Sequence, residues 1–359
     1  MNQPSDSASI ADDKASARMY MQRVGDGLDA LERLRGKVSQ LLGAQEIDAG
    51  WLERLERIVD ELLLLSREHA DLALYYLVNE KVNNPQQYSA LHSVCCALMA
   101  VLAAQWLDWQ AEEVRSLGCA SLTMNIAMGA LQDQLARQVD PPSAGQRELI
   151  GSHAERGAEA LRKAGVSDPL WLQAVQEHHI VHDAPDAQAL EPGPRAAELL
   201  RRVDVYAAKL STRKTRPALT PAKAARGALL GPSDHPDAMG ATLLRVLGLY
   251  PPGAYVELLN GEVGVVIERG ERAHTPLVAS LRRQDGNVLL VPRARDTALR
   301  PFSVRRGVDA AQVHVRPGHV VVLKARLQLG GFATPPAPAA QPAAADAPPA
   351  DDEAPPADG

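Results

Sequence analysis

Apolar residues between positions 17 and 85 recur at helical intervals. Val24, Leu28, Leu31, Val38 and Leu42 are spaced 4, 3, 7 and 4 apart, with Arg35 standing where one more apolar residue is due. Leu52, Leu55, Val59 and Leu62 resume the stripe beyond Gly50. No proline interrupts the segment before Pro85. The pattern predicts amphipathic helices that bury one face as a hairpin, within one domain, or across a dimer interface.

From 87 to 250 the helical pattern continues, broken at Asp140-Pro141-Pro142, Gly165, Pro185 and Pro192. The period then changes. Ala254–Glu268 holds two β-rich runs around Asn260-Gly261, a strong hairpin signal. Leu277–Leu281, Val288–Val291 and Val313–Leu327, the last interrupted at Pro317-Gly318, are further strand candidates. From Thr334 on, only Pro, Ala, acids and a few small polar residues occur, a composition that cannot bury enough surface to offset its ordering entropy. The expected fold is mainly α: a helical bundle, N-terminal helices before it, a small β-rich extension and a disordered tail after it. The expected boundaries are 1–16 disordered, 17–86 N-terminal helices, 87–250 the main helical domain, 251–330 the β-rich extension and 331–359 the tail.

Composition narrows the function classes. Hydrophobic residues are 46% and charged residues 23%, which gives enough apolar surface for a core, while aromatics are only 4%. The net charge is −6, and five of the acids (Asp346, Asp351, Asp352, Glu353, Asp358) lie in the tail, so the rest of the chain carries −1. A near-neutral body lacks the basic excess of a nucleic-acid surface. Three cysteines (Cys95, Cys96, Cys119) in apolar surroundings predict reduced, buried thiols. The polar N-terminus has no signal-peptide core, and the longest apolar run, Val94 to Ala104, falls short of the ~20 residues that span a bilayer. The expectation is a cytoplasmic chain with neither membrane nor nucleic acid as partner.

Candidate chemistry lies in the histidines. His92 leads a run of small apolar residues; His153 shares a face with Ile150, Gly157 and Leu161; His178 and His179 end a helix with the inner stripe Trp171, Ala174 and Val175. Asp204 falls among Leu200, Val203, Ala207 and Leu210, and an inward carboxylate is costly unless cations or hydrogen bonds answer it. Each residue alone reads as a core or capping group. Together, imidazoles and a carboxylate from separate helices form a common transition-metal set.

The succession LHS, HAERG, EHH and RVDVYAAKLSTRKTRPALTPAKA, followed by LGLYPPGAYVELLNGEVGVVIE, resembles the HD-GYP family of the HD phosphohydrolase superfamily over roughly residues 87–300. The resemblance implies an all-helical domain with a di- or trinuclear iron or manganese site that hydrolyses cyclic di-GMP. It places His92, His153, His178, His179 and Asp204 at metal-ligand positions. It also exposes departures: Met124 and Asn125 stand for the namesake His-Asp pair, Met128 for a lysine, Ile180 for an acid, and Ala184–Ala189 holds no GYP. No catalytic residue survives at Met124, Asn125 or Met128, unless another carboxylate such as Asp133 or Asp183 has moved in. Arg213, Lys214 and Arg216 belong to a cationic run around Asp204 and are candidates for phosphate binding, or form a solvated helix face.

Three functions follow as expectations. The first is a catalytically impaired HD-GYP-like signalling protein that senses a cyclic dinucleotide or binds a protein partner, with one divalent ion (Fe or Mn) and self-association through the N-terminal helices. The second is a metal-dependent cyclic di-GMP phosphodiesterase with an altered ligand set. The third is a metal-free interaction scaffold.

Overall fold

Local caps and buried stripes set where the helices begin and how they pack. In the computed structural model, residues 6–44, 47–83, 88–182, 187–214, 218–229 and 237–330 are described. Helix α1 (Asp6–Leu42) buries Val24, Leu28, Leu31, Leu34, Val38 and Leu41. Leu34 supplies the apolar contact that Arg35 could not, and Leu41 rather than Leu42 closes the stripe. The backbone is helical from Asp6. Residues 1–5 and the expected tail, 331–359, lie outside the described residues.

Asp48 starts α2 (Ala49–Glu68) by accepting from Trp51 N at 2.7 Å, and the Trp51 indole donates to Leu41 O at 2.8 Å, pinning α2 to the end of α1. After α3 (Ala70–Asn83) comes α4 (Tyr88–Trp106), whose residues are buried from Tyr88 to Ala104. With 19 residues and a mean hydropathy of 1.5 over an 18-residue window, α4 is long and apolar enough to cross a membrane by length and composition alone, although its uninterrupted apolar run is only Val94–Ala104. Its burial, 89% of that stretch, marks it as the central helix of the bundle, ringed by α1, α2, α3, α5 (Ala111–Thr123) and α9 (Pro192–Lys209).

The helices around α4 then present the polar residues. Ser89 donates from its N and Oγ to Asp133 of α6 (Gly129–Arg137), at 2.8 and 3.0 Å, so Asp133 is occupied in capping α4. A Ser143–Gln146 capping box opens α7 (Ala144–Lys163). Asp168 and Pro169 open α8 (Pro169–Glu177), and the Trp171 indole donates to Thr123 Oγ1 at 2.8 Å, fixing α8 to the end of α5. Two further helices, α10 (Pro221–Arg226) and α11 (Ala238–Leu247), complete the bundle.

Five antiparallel strands follow: β1 (Tyr255–Leu258), β2 (Val263–Glu268), β3 (Leu277–Arg282), β4 (Val288–Asp296) and β5 (Val304–Gly307), in the order β4-β3-β2-β1-β5. The expected hairpin is present, with Gly261 at φ +80° in its turn. The sheet meets the bundle at Gly253, which has φ +90°; a Cβ there would lie 2.5 Å from Tyr75 O and 2.8 Å from Asn79 N of α3. Only glycine allows that approach. The Val313–Leu327 strand expectation is corrected: short helix α12 (His319–Leu323) and a 3-10 stretch fill this region. Burial of Val322, Leu323 and Ala325, with α12 seated against α1 and β4, outweighs the β preference of the valines.

Candidate metal centre

Three imidazoles converge where α7 meets the end of α8. His153, 2% exposed, projects from α7, and its Nδ1–H donates to Ile150 O at 2.6 Å. His178, fully buried, caps α8, and its Nδ1–H donates to Val175 O at 2.7 Å. A carbonyl oxygen only accepts, so both rings carry a proton on Nδ1 and turn the Nε2 lone pair inward. His153 Nε2 then lies 3.2 Å from His178 Nε2 and 3.2 Å from His179 Nε2. Burial holds His178 neutral, its pKa lowered to about 3 with the neighbouring His179 acting in the same direction, and burial lowers His153 as well.

Acceptor atoms this close repel unless a cation lies between them. Two ligands bound at ~2.0–2.1 Å in a tetrahedral site sit about 3.3 Å apart, close to the observed spacing. Backbone carbonyls on the far ring nitrogens are the usual outer partners of metal-bound histidines. The histidine trio therefore fits a divalent ion, with His153 and His178 buried and His179 exposed.

A second group lies on α4 and α9. His92, 1% exposed, meets Asp204 Oδ1 through Nε2 at 2.7 Å, and Cys96 Sγ lies 3.6 Å from the same nitrogen. Lys81 of α3, 3% exposed, brings Nζ to 3.1 Å from His92 Nδ1. Burial, with Lys81 adding to it, holds His92 neutral, its pKa down to about 4. Burial pushes the Asp204 carboxyl up, but the His92 hydrogen bond and the imidazoles of His178 and His179 prevail and hold it well below the usual carboxylate range. Asp204 thus couples the two groups. Tyr88 stacks on His92 with centroids 5.5 Å apart, and Arg213 donates to Tyr88 OH at 2.6 Å.

Of the expected ligand residues, His153, His178 and His179 form one group and His92 and Asp204 the other. Met124 caps α5, fully buried, and Asn125 opens a short 3-10 turn, Ile126–Met128, that packs along α7. Gly157, one turn beyond His153, faces Ile126 and Met124 O. Of the three candidate phosphate contacts, Arg213 reaches Tyr88, Lys214 is exposed, and Arg216 lies outside the described residues, as does Asp183. Elsewhere in the cationic run, Arg195 pairs with Glu113 and Arg201 and Arg202 with Glu198, so these arginines hold the fold. Lys81, Tyr88 and Cys96 escaped the sequence reading. Cys96 sits one turn after His92, a spacing that was available; Lys81 looks like any last-turn lysine.

No family model matches the chain. It is 30% identical over 226 residues to the cyclic di-GMP phosphodiesterase PA4108 of Pseudomonas aeruginosa, an alignment covering 62% of this chain and 54% of that protein. The chain spans about half the length of that relative. It is also similar to the solved structure of Bd1817, a HDG"Y"P protein from Bdellovibrio bacteriovorus, with a TM-score of 0.45 and 14% identity over 60% of this chain and 69% of that one.

Proposed function

We propose that this chain is a catalytically impaired HD-GYP-type signalling protein that binds one divalent ion and senses a cyclic dinucleotide. The observation that carries the reading is the trio of facing Nε2 atoms at 3.2 Å beside a turn opened by Asn125 rather than by a carboxylate. His153, His178 and His179 would hold the ion, iron or manganese, with Asp204 as the nearby anion. Bound there, the ion supplies Lewis acidity toward a phosphate oxygen. Arg213, held on Tyr88 beside His92, supplies a cation suited in kind to a phosphate.

Impairment follows from charge. Two dications ~3.5–4 Å apart, as in two-metal hydrolases, need an anionic bridge. Asn125 brings a neutral amide, Met124 a soft thioether poorly matched to manganese, and Asp133 is engaged at the start of α4. The name of the Pseudomonas relative supports the choice of nucleotide and also favours the second reading, an active phosphodiesterase with an altered ligand set. Protein contacts through the N-terminal helices and a cytoplasmic location belong to the same proposal.

Calorimetric titration with cyclic di-GMP and a hydrolysis assay with manganese or ferrous iron test it together. Binding without turnover is the expected result. Turnover abolished by His178→Ala would establish the enzyme; absence of both metal and nucleotide binding would leave the scaffold. Met124→His with Asn125→Asp should raise the metal content of the purified protein.

A further inference from the structure

The second group, His92 with Asp204, is built for a proton and a lysine rather than for a metal. A histidine that binds an ion through Nε2 keeps its proton on Nδ1 and donates it outward, to a carbonyl or carboxylate. His153 and His178 meet that requirement. His92 does not: the group facing its Nδ1 is the Lys81 ammonium, 3.1 Å away, which donates hydrogen bonds and accepts none. With Nδ1 engaged as an acceptor, the proton resides on Nε2 and points at Asp204 Oδ1. The 2.7 Å separation there is a direct hydrogen bond and is shorter than the 3.2 Å spacings of the trio. Loading an ion on Nε2 would move the proton to Nδ1 and set two donors against each other in a buried site.

We infer that Lys81 is a built-in cation that takes the place of a metal at His92 and Asp204, so that this half of the centre runs as a fixed relay, Lys81 to His92 to Asp204. The position of Lys81 is rigidly set. Its backbone carbonyl accepts from Thr212 N at 3.2 Å, its Nζ lies 5.3 Å from the Tyr88 ring centroid, and one turn earlier Gly253 presses the sheet onto α3. The inference assigns the metal-bearing role to the trio alone, and in that respect rests on the proposed function.

Zinc(II), diamagnetic and suited to imidazole, is the probe. The full chain is equilibrated with zinc, dialysed and analysed for bound metal, alongside Lys81→Met, Lys81→Gln and Lys81→Arg. The wild type and Lys81→Arg should retain one equivalent. Lys81→Gln, whose amide oxygen accepts from Nδ1–H, and Lys81→Met should each retain two. Two equivalents on the wild type, or no gain in either neutral variant while folded, would overturn the inference. A readout independent of variant folding is the 15N spectrum of the wild-type histidines: on adding zinc, His92 should stay protonated on Nε2, and its conversion to a zinc-bound Nε2 would overturn the inference directly. His178→Ala separates the two claims. Loss of one equivalent in every background supports the trio as the metal site; an unchanged count with the Lys81 gain intact defeats the trio and leaves Lys81 standing.

Discussion

The two histidine groups differ in what touches the outer face of each ring. In the trio, His153 and His178 rest Nδ1 on backbone carbonyls of their own helices, so the lone pairs turn inward and the site calls for a cation. In the relay, His92 rests Nδ1 on a lysine from another helix, and the cation is already there. On the proposed reading, one residue type in one helical bundle serves as a ligand or as a proton carrier according to its second neighbour. The lesson is that a metal site is specified as much by the partner behind the imidazole as by the imidazole itself.

The comparison can be broken from either side. The largest effect is expected from His178→Ala, which removes a buried ligand and should weaken metal retention by roughly 100-fold or more, beyond the 10–100-fold typical of outer partners. Bound zinc measured by mass spectrometry checks it. Next is Gly253→Ala. A side chain at φ +90° against the α3 backbone should cost on the order of 2–4 kcal/mol from strain and overpacking together. Chemical denaturation reads the loss, which should fall on α3 and Lys81 first, leaving zinc on the trio of the folded fraction. Asp204→Ala leaves His92 Nε2–H without its acceptor, at a cost of about 1–3 kcal/mol read by the same measurement.

The smallest effect per step concerns pH. His92 and His178 have folded pKa values of about 4 and about 3, below the ordinary 6.5. The unfolded chain therefore binds protons first as pH falls. Their stabilisation is fully present above pH 6.5 and is lost progressively from there toward about 4 and about 3, at up to ~1.4 kcal/mol per group per pH unit. Metal-free protein should show a Tm that declines steadily below pH 6.5, and a flat profile would contradict the neutral, buried state of both rings.

Much of this organisation was legible in the chain. His92, His153 and Asp204 lie on helices, with His178-His179 at a helix end, as their spacing predicts, because buried stripes at 3.6-residue period leave few alternatives. The Asn260-Gly261 hairpin was equally plain. The opposite roles of the two groups were not, since they depend on Lys81, whose contact with His92 crosses from one helix to the next and leaves no periodic trace. Strand β5, Val304-Arg305-Arg306-Gly307, was missed because two arginines hide its pattern, and the 313–327 segment misled because valines favour strands while packing against α1 made part of it helical.

Helix α4 has a consequence for biosynthesis. On the ribosome, α1, α2 and α3 emerge before it and can shield part of its circumference, but α5 and α9 are still to be made. Until residue 209 or so has been synthesised, a segment of membrane-grade hydropathy stands half covered. Nascent chains stalled in that interval should be the species that chaperones hold and that proteases find, and any truncated version meant to keep α4 covered must retain every helix through α11, which also packs on α4.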